Sequence, residues 1–425
     1  MIKIFLLKLQ KKEFAKNVLT LMAGTLGAQL LPLLLSPILT RLYSPENFGI
    51  FSLFSAVCFS IATLSTLRYE LAILLPKSNK HAKFILYVCS IIICITSFAI
   101  AVLCYLYATE LSELLKAPTL APTLKYVAIG VFLIGFIQAL SYWHLRQKHF
   151  TLLARNKFQQ SLCSTILQIL AGFLTTTSNV FGLILGFLIS QLYAVIFLFS
   201  KTNFLNQGSF PNKLQSHILL KKYSNLPIMN GTNAVVDTLR VNGINILIAM
   251  LFNNSLLGQF ALAWRILQAP ISLINGALSQ VSFQTVSQLE GTQIFSFAVK
   301  SIKLSFFAGI IPFTLIYLLS PTLFPIIFGP NWTIAGDIAQ SLCPWLFLNL
   351  ITSPLSTIFI VIKKQLHALI FSVIYAICPL WIIYTSQQDI VNTVKFASYS
   401  MSVLLVIYII VVLLLTHNHK NKCAI

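Results

Sequence analysis

Twelve apolar stretches follow one another along the chain, each long enough to cross a bilayer as a helix and separated by short polar connections. They run over about 17–40, 50–75, 84–108, 122–143, 158–176, 180–200, 226–250, 260–284, 300–328, 338–362, 369–385 and 393–415. A helical crossing of the roughly 30 Å hydrocarbon core takes about 20 residues. Lipid offers the backbone no hydrogen-bond partners, so a stretch of this kind in a membrane has to be helical. Composition agrees: 57% of the 425 residues are hydrophobic and 9% are charged, whereas soluble domains carry about 25% charged residues. The expectation is an all-α, polytopic membrane protein of about twelve transmembrane helices, with no soluble domain between spans or at either end.

The net charge of +20 invites a nucleic-acid reading, but the charges are distributed as a topology signal. With a cytoplasmic N-terminus, the inside segments hold 22 of the 29 Lys and Arg residues. Five precede the first span, three lie in 76–83, four each in 144–157 and 201–225, and two each in 285–303, 363–364 and the tail. The outside segments hold only Arg41 and Lys116, together with Glu46, Glu110, Glu113, Asp337 and Asp389. Short cytoplasmic loops carry this excess of positive charge. Both termini are therefore expected in the cytoplasm, and nucleic acid is not expected as a partner. Segment 1–16 reads as a basic interfacial helix, and the basic loops would meet anionic membrane lipids without a dedicated site. The eight cysteines form no CxxC pair or Cys/His cluster and read as small buried hydrophobes.

An internal repeat is visible at an offset of 209: LYSPENFGIFSL, Leu42 to Leu53, can be set over LFNNSLLGQFAL, Leu251 to Leu262. The expected halves, 1–212 and 213–425, would be six-helix bundles in the same orientation, a parallel repeat around a central cavity.

Polar faces indicate what would line that cavity. In the seventh span, NGTNAVVDTLR places Asn230, Asn233, Asp237 and Arg240 within roughly 80° of arc at 100° per residue. A charge at the bilayer centre costs about 2.5–3.5 kcal/mol even on the gentler insertion scales, so such residues face a bundle interior or a wet cavity. The alternative is a structural ion pair, since i,i+3 partners reach one another. In the eighth span Trp264, Gln268, Ser272, Asn275, Ser279 and Ser282 share one arc, with Arg265 at its edge. The equivalent face of the second span carries Ser55, Thr63, Thr66 and Glu70, whereas Arg68 lies off it and either pairs locally or reaches toward headgroups. Arg265 and Arg41 would present charge to an anionic ligand, or else contact headgroups and cap a helix. A guanidinium donates two parallel hydrogen bonds to phosphate, so a cavity with Arg240, and with Arg265 and Arg41, suits a pyrophosphate better than a cation. Asn275 is equally of the type that joins membrane helices by hydrogen bonds. Pro32, Pro37, Pro270, Pro312, Pro321 and Pro325 are expected to interrupt their helices.

No P-loop, GxSxG or HExxH motif occurs. An enzyme is not expected, nor a cofactor or metal. The energy source is left between a proton or sodium gradient, the substrate's own gradient and a separate partner.

Three strings carry a family resemblance: Pro37 to Gly49 (PILTRLYSPENFG), Leu67 to Ala72 (LRYELA) ending at Leu75-Pro76, and Phe328 to Trp332 (FGPNW) followed by Ala335-Gly336. In these the chain resembles the polysaccharide biosynthesis, or oligosaccharide flippase, family, the Wzx-type members of the multidrug/oligosaccharidyl-lipid/polysaccharide exporter superfamily. The resemblance implies transfer of an undecaprenyl-pyrophosphate-linked oligosaccharide, an O-antigen or capsular repeat unit, across the bacterial inner membrane by alternating access. It also implies polysaccharide polymerase machinery as a downstream partner. No residue inherits a role from it. The competing readings are a cation-coupled multidrug antiporter of the same superfamily and a membrane polysaccharide polymerase. The first is disfavoured by the basic neighbour of the mid-membrane carboxylate, the second by outer loops of only about a dozen residues, an ordinary connection length.

Overall fold

In the computed structural model, which describes residues 23–115, 118–174, 180–202, 219, 221–223, 225–289, 292–362, 364–386 and 389–423, no strand occurs among the described residues. The helices are α1 (Ala23–Leu34), α2 (Ser36–Leu42), α3 (Pro45–Leu64), α4 (Asn79–Leu106), α5 (Ala108–Leu114), α6 (Ala121–Leu124), α7 (Val127–Arg146), α8 (Phe150–Leu174) and α9 (Val180–Ser200). They continue as α10 (Asn225–Leu251), α11 (Asn254–Val286), α12 (Thr292–Phe328), α13 (Thr333–Thr352), α14 (Ile358–Val361), α15 (Gln365–Thr385) and α16 (Ile390–Cys423). Ten spans among the described residues are long and apolar enough to cross a membrane, and eleven if the bent pair α1–α2 counts as one. The 25-residue α8 is as long as these but more polar, with Asn156, Lys157, Gln159 and Gln160 in its first half. The basic segment 1–16 and most of 201–225 lie outside the described residues.

Proline acts less uniformly than expected. Pro37, in the first turn of α2, sits beside a bend of 40° after α1, and the Ser36 hydroxyl donates to the Pro32 carbonyl at 2.6 Å. Pro270, by contrast, lies inside an unbroken α11, and Pro312, Pro321 and Pro325 lie inside an unbroken α12. Neighbouring helices and local adjustment hold a proline-containing membrane helix together where water would let it break. At 37 residues, α12 extends about 55 Å at 1.5 Å per residue, well beyond the hydrocarbon core.

The chain forms two compact units, 1–43 with 50–242 and 44–49 with 243–425. The division between them lies inside α10, and residues 44–49, at the start of α3, belong to the second unit. The core of unit 1 gathers Ile73, Ile85, Cys89, Ile93, Leu140, Trp143 and Leu198. Tyr43, from the first family string, is 2% exposed, and its hydroxyl donates to the Gln168 carbonyl at 2.8 Å. In unit 2 a separate core forms around Val286, Ile294, Leu355, Phe359, Tyr408 and Val412.

The 209-residue repeat has a counterpart in unit 2, where the first turns of α3 and α11 cross. A Cβ on Gly49 would overlap the Asn254 carbonyl, and one on Gly258 would overlap the Pro45 carbonyl. Pro45 and Asn254 are themselves 209 residues apart, as are Gly49 and Gly258, so the contact is reciprocal. Beside it, Gln259 donates to the Asn331 carbonyl at 2.6 Å and accepts from the Ala335 amide at 2.9 Å. Trp332, 1% exposed, meets Phe48 edge to face at 5.1 Å. The first and third family strings thus meet in one packed cluster.

Alanine at Gly49 or Gly258 should cost about 1–3 kcal/mol, the usual penalty of overpacking. It would show as a lower thermal unfolding midpoint in detergent. Gly276→Ala is the control, because its Cβ would meet open space, and its midpoint should not fall.

Candidate functional site

The second family string folds differently from a helix. α3 ends at Leu64, eleven residues before the expected end of the second span, and Leu67 and Arg68 take left-handed φ values of 49° and 60°. A 3₁₀ turn, Tyr69–Leu74, follows. The turn drives Glu70 into unit 1, where it is 0% exposed. Its carboxylate accepts from the Thr66 hydroxyl, from Gln138 Nε2 at 2.9 Å and from Arg68 at 3.3 Å. Arg146, at the end of α7, donates to the carbonyls of Ile73, Leu74 and Lys77 at 3.1, 3.4 and 3.4 Å and so clasps the far end of the turn. Glu70 was expected either on a cavity-lining helical face or at the cytoplasmic interface. Instead it is a buried acceptor holding a left-handed turn shut, a position in which unmet donors would be costly. Arg68 pairs locally with it.

The polar face of α11 is the stronger candidate. The helix begins at Asn254, so Arg265 lies eleven residues in, about 16 Å along the axis at 1.5 Å per residue. This is farther from the start of its helix than the expected span start at 260 implied. Arg265 is partly exposed, and among the described residues no hydrogen bond or carboxylate partner is found for it. Trp264 packs on Phe260 and Trp345, with centroids at 5.9 and 5.3 Å. Gln268 keeps a buried Oε1 without a hydrogen-bond partner among the described residues. Asn275 donates to Asn349 Oδ1 at 2.8 Å, Asn349 donates to the Tyr375 hydroxyl at 3.2 Å, and Trp345 donates to the same hydroxyl at 2.6 Å. Ser279 meets Ser353 Oγ at 3.1 Å, where α13 has given way to the turn Ser353–Leu355.

Asn349, Ser353 and Tyr375 escaped the sequence reading. Their signal was available: each is polar or half-polar inside an apolar run, and Ser353-Pro354 marks a break in what was expected to be one span, 338–362. α10 is a continuous helix carrying Asn230, Asn233, Asp237 and Arg240 at the expected spacing. The side chains of Asn230, Asn233 and Asp237 lie outside the described residues, and Arg240 is exposed. Arg41 is an exposed residue in the last turn of α2, where a cation complements the helix dipole. Among the described residues, no group of three or more His, Cys, Asp or Glu side chains is placed to hold a metal ion.

Comparison with known proteins adds the family. A family model described as polysaccharide biosynthesis protein matches residues 38–336. Among solved structures, the lipid II flippase MurJ in an inward closed conformation is similar with a TM-score of 0.68 at 17% identity, covering 96% of this chain and 89% of that one. A multidrug resistance MATE family transporter of the MOP superfamily, inward-facing, is similar with a TM-score of 0.62 at 14% identity, covering 94% of each chain. At these identities the likeness is one of fold. No curated protein sequence matches.

Glu70→Leu should strand the donors of Thr66, Gln138 and Arg68, at about 1–3 kcal/mol for each buried group left unpaired. A sharp drop in the yield of monodisperse protein should result. Adding Gln138→Leu should recover part of the loss, because removing both partners costs less than removing one. An additive double mutant would contradict the contact.

Proposed function

The chain belongs to the polysaccharide biosynthesis protein family, and from that premise we propose that it is a membrane flippase for a lipid-linked oligosaccharide. The substrate in this reading is an undecaprenyl-pyrophosphate-linked O-antigen or capsular repeat unit. It moves from the cytoplasmic to the periplasmic leaflet of the bacterial inner membrane by alternating access. Both termini are cytoplasmic, by the distribution of Lys and Arg between loops. A polymerase would consume the product at the outer leaflet.

The observation that carries this reading is Arg265. A guanidinium held about 16 Å along a membrane helix, partly exposed and with no carboxylate partner among the described residues, is an anion-binding group awaiting its anion. Its planar fork matches phosphate oxygens bidentately. The neutral amide and hydroxyl groups further along α11 suit a glycan rather than a second charge. A cation-coupled multidrug antiporter would need a carboxylate free to take a cation. Glu70 does not serve, since it already accepts three hydrogen bonds, one of them from Arg68. The energy source is left between a proton or sodium gradient, the substrate's own gradient and a separate partner.

In a strain whose surface polysaccharide depends on this protein, Arg265→Ala should cut export at least tenfold with protein level unchanged. That is the loss expected from removing a charge-assisted contact of about 1.5–3 kcal/mol. Arg265→Lys should restore only part, because an ammonium lacks the fork. Arg240→Ala is expected to lower export in the same assay. Wild-type export from Arg265→Ala would remove the anion site, and wild-type export from a deletion strain with no second flippase would remove the function.

A further inference from the structure

Beyond the charged part of the α11 face, unit 2 contains a cavity of about 370 Å³ bounded by α11, α13, α15 and α16. Its size lies at the lower end of ligand-binding pockets. None of its lining residues is charged, which sets it apart from the Arg265 level of the same helix. The wall is of two kinds. One side presents Asn275, Asn349, Ser353 and Ser356, and the other presents the rings of Phe371 and Tyr375, stacked at 5.6 Å with an interplanar angle of 26°. The amides are held in place by the chain from Asn275 through Asn349 to Tyr375, whose hydroxyl is also fixed by Trp345. Ser353 donates to the Asn275 carbonyl at 3.2 Å. Within this network Asn275 Oδ1 is buried and has no hydrogen-bond partner among the described residues.

Each class of ligand can be weighed against this wall. A phosphate would meet no cation, and a metal or organic cation no carboxylate. An acyl chain would leave the amides and the Asn275 oxygen desolvated, at about 1–3 kcal/mol for each unpaired group. A ligand that fits must be uncharged, must both donate and accept at several points, and must offer an apolar face to an aromatic ring. A sugar ring has these properties: its hydroxyls donate and accept, and its axial C–H face lies flat on a ring.

We propose that this cavity is a binding site for an uncharged sugar ring, with Asn275 Oδ1 accepting from a ring hydroxyl, Asn349 and Ser353 completing the polar side, and Tyr375 with Phe371 forming the platform. The site deepens the flippase reading and rests on it for its biological role: pyrophosphate is bound through arginine, while one residue of the glycan is held here.

The test uses the purified full-length protein in lipid nanodiscs and follows tryptophan fluorescence, to which Trp345 contributes through its bond to Tyr375. The probes are methyl glycosides of neutral hexoses and N-acetylhexosamines, with inorganic pyrophosphate, sodium chloride and potassium chloride as controls. The blocking variant is Ser356→Trp. Ser356 is exposed and bonds only within its own turn, to the Ser353 carbonyl at 2.8 Å, so the substitution fills the mouth without breaking the buried network. Saturable binding of at least one glycoside at millimolar concentration is expected, weakened at least tenfold in Ser356→Trp and in Asn275→Leu. Ser356→Trp should elute as a monodisperse species like the wild type. No glycoside binding by the wild type overturns the proposal. So does an unaltered affinity in Ser356→Trp, or a response to sodium or potassium alone. Translocation of a lipid-linked oligosaccharide in proteoliposomes separates the two readings. Glycoside binding without translocation keeps the sugar site and removes the flippase; translocation unaffected by Ser356→Trp, with no glycoside binding, does the reverse.

Discussion

Where a helix faces lipid, a polar group along it finds no partner in its surroundings and must turn to the protein or to a cavity within it. Leu34, Phe98, Phe173, Leu174, Phe307, Ile311 and Trp381 are each more than 60% exposed, which lipid tolerates and water would not. Under that constraint every hydroxyl and amide along a span becomes informative. Thr96, Ser90 and Thr416 return their hydroxyls to carbonyls of their own helix. Asn275, Asn349, Gln138 and Gln259 reach other elements and fix how the chain packs. Buried polar atoms without a hydrogen-bond partner among the described residues are spread over several elements, and two of them, Gln268 Oε1 and Asn275 Oδ1, lie on the polar face of α11.

The strings that betray the family are built into the packing of the backbone. Phe48, Gly49 and Trp332 are buried at a helix crossing and its flank, Tyr43 is buried against α8, and Arg68 with Glu70 closes a left-handed turn. These are places where the backbone does something that only particular residues permit: close approach without a Cβ, a positive φ, a carboxylate inside a bundle. Recognition of the family and recognition of the site therefore drew on different residues.

What could be read from sequence follows the same division. The helical class and the span count came from hydrophobic length, a property each stretch carries on its own. The polar arc of α11 came from its 100° period, and the structure keeps it helical through Pro270. The early end of α3 was hidden because Leu67 and Arg68 adopt left-handed φ with no glycine or proline to announce it. The partners of Asn275 were hidden for a different reason: periodicity tells which way a side chain points along its own helix, not which helix stands opposite. The unit boundary at Asn242 falls within α10 and leaves no break in the pattern to find.

The crossing of Gly49 and Gly258 carries one more implication. A contact in which residue i meets j' while i' meets j is isologous, the arrangement found at the two-fold axis of a homodimer. Here both copies of the patch sit on one polypeptide, 209 residues apart. A half-length chain bearing the string once would already possess a surface complementary to itself, needing only one small residue opposite a carbonyl.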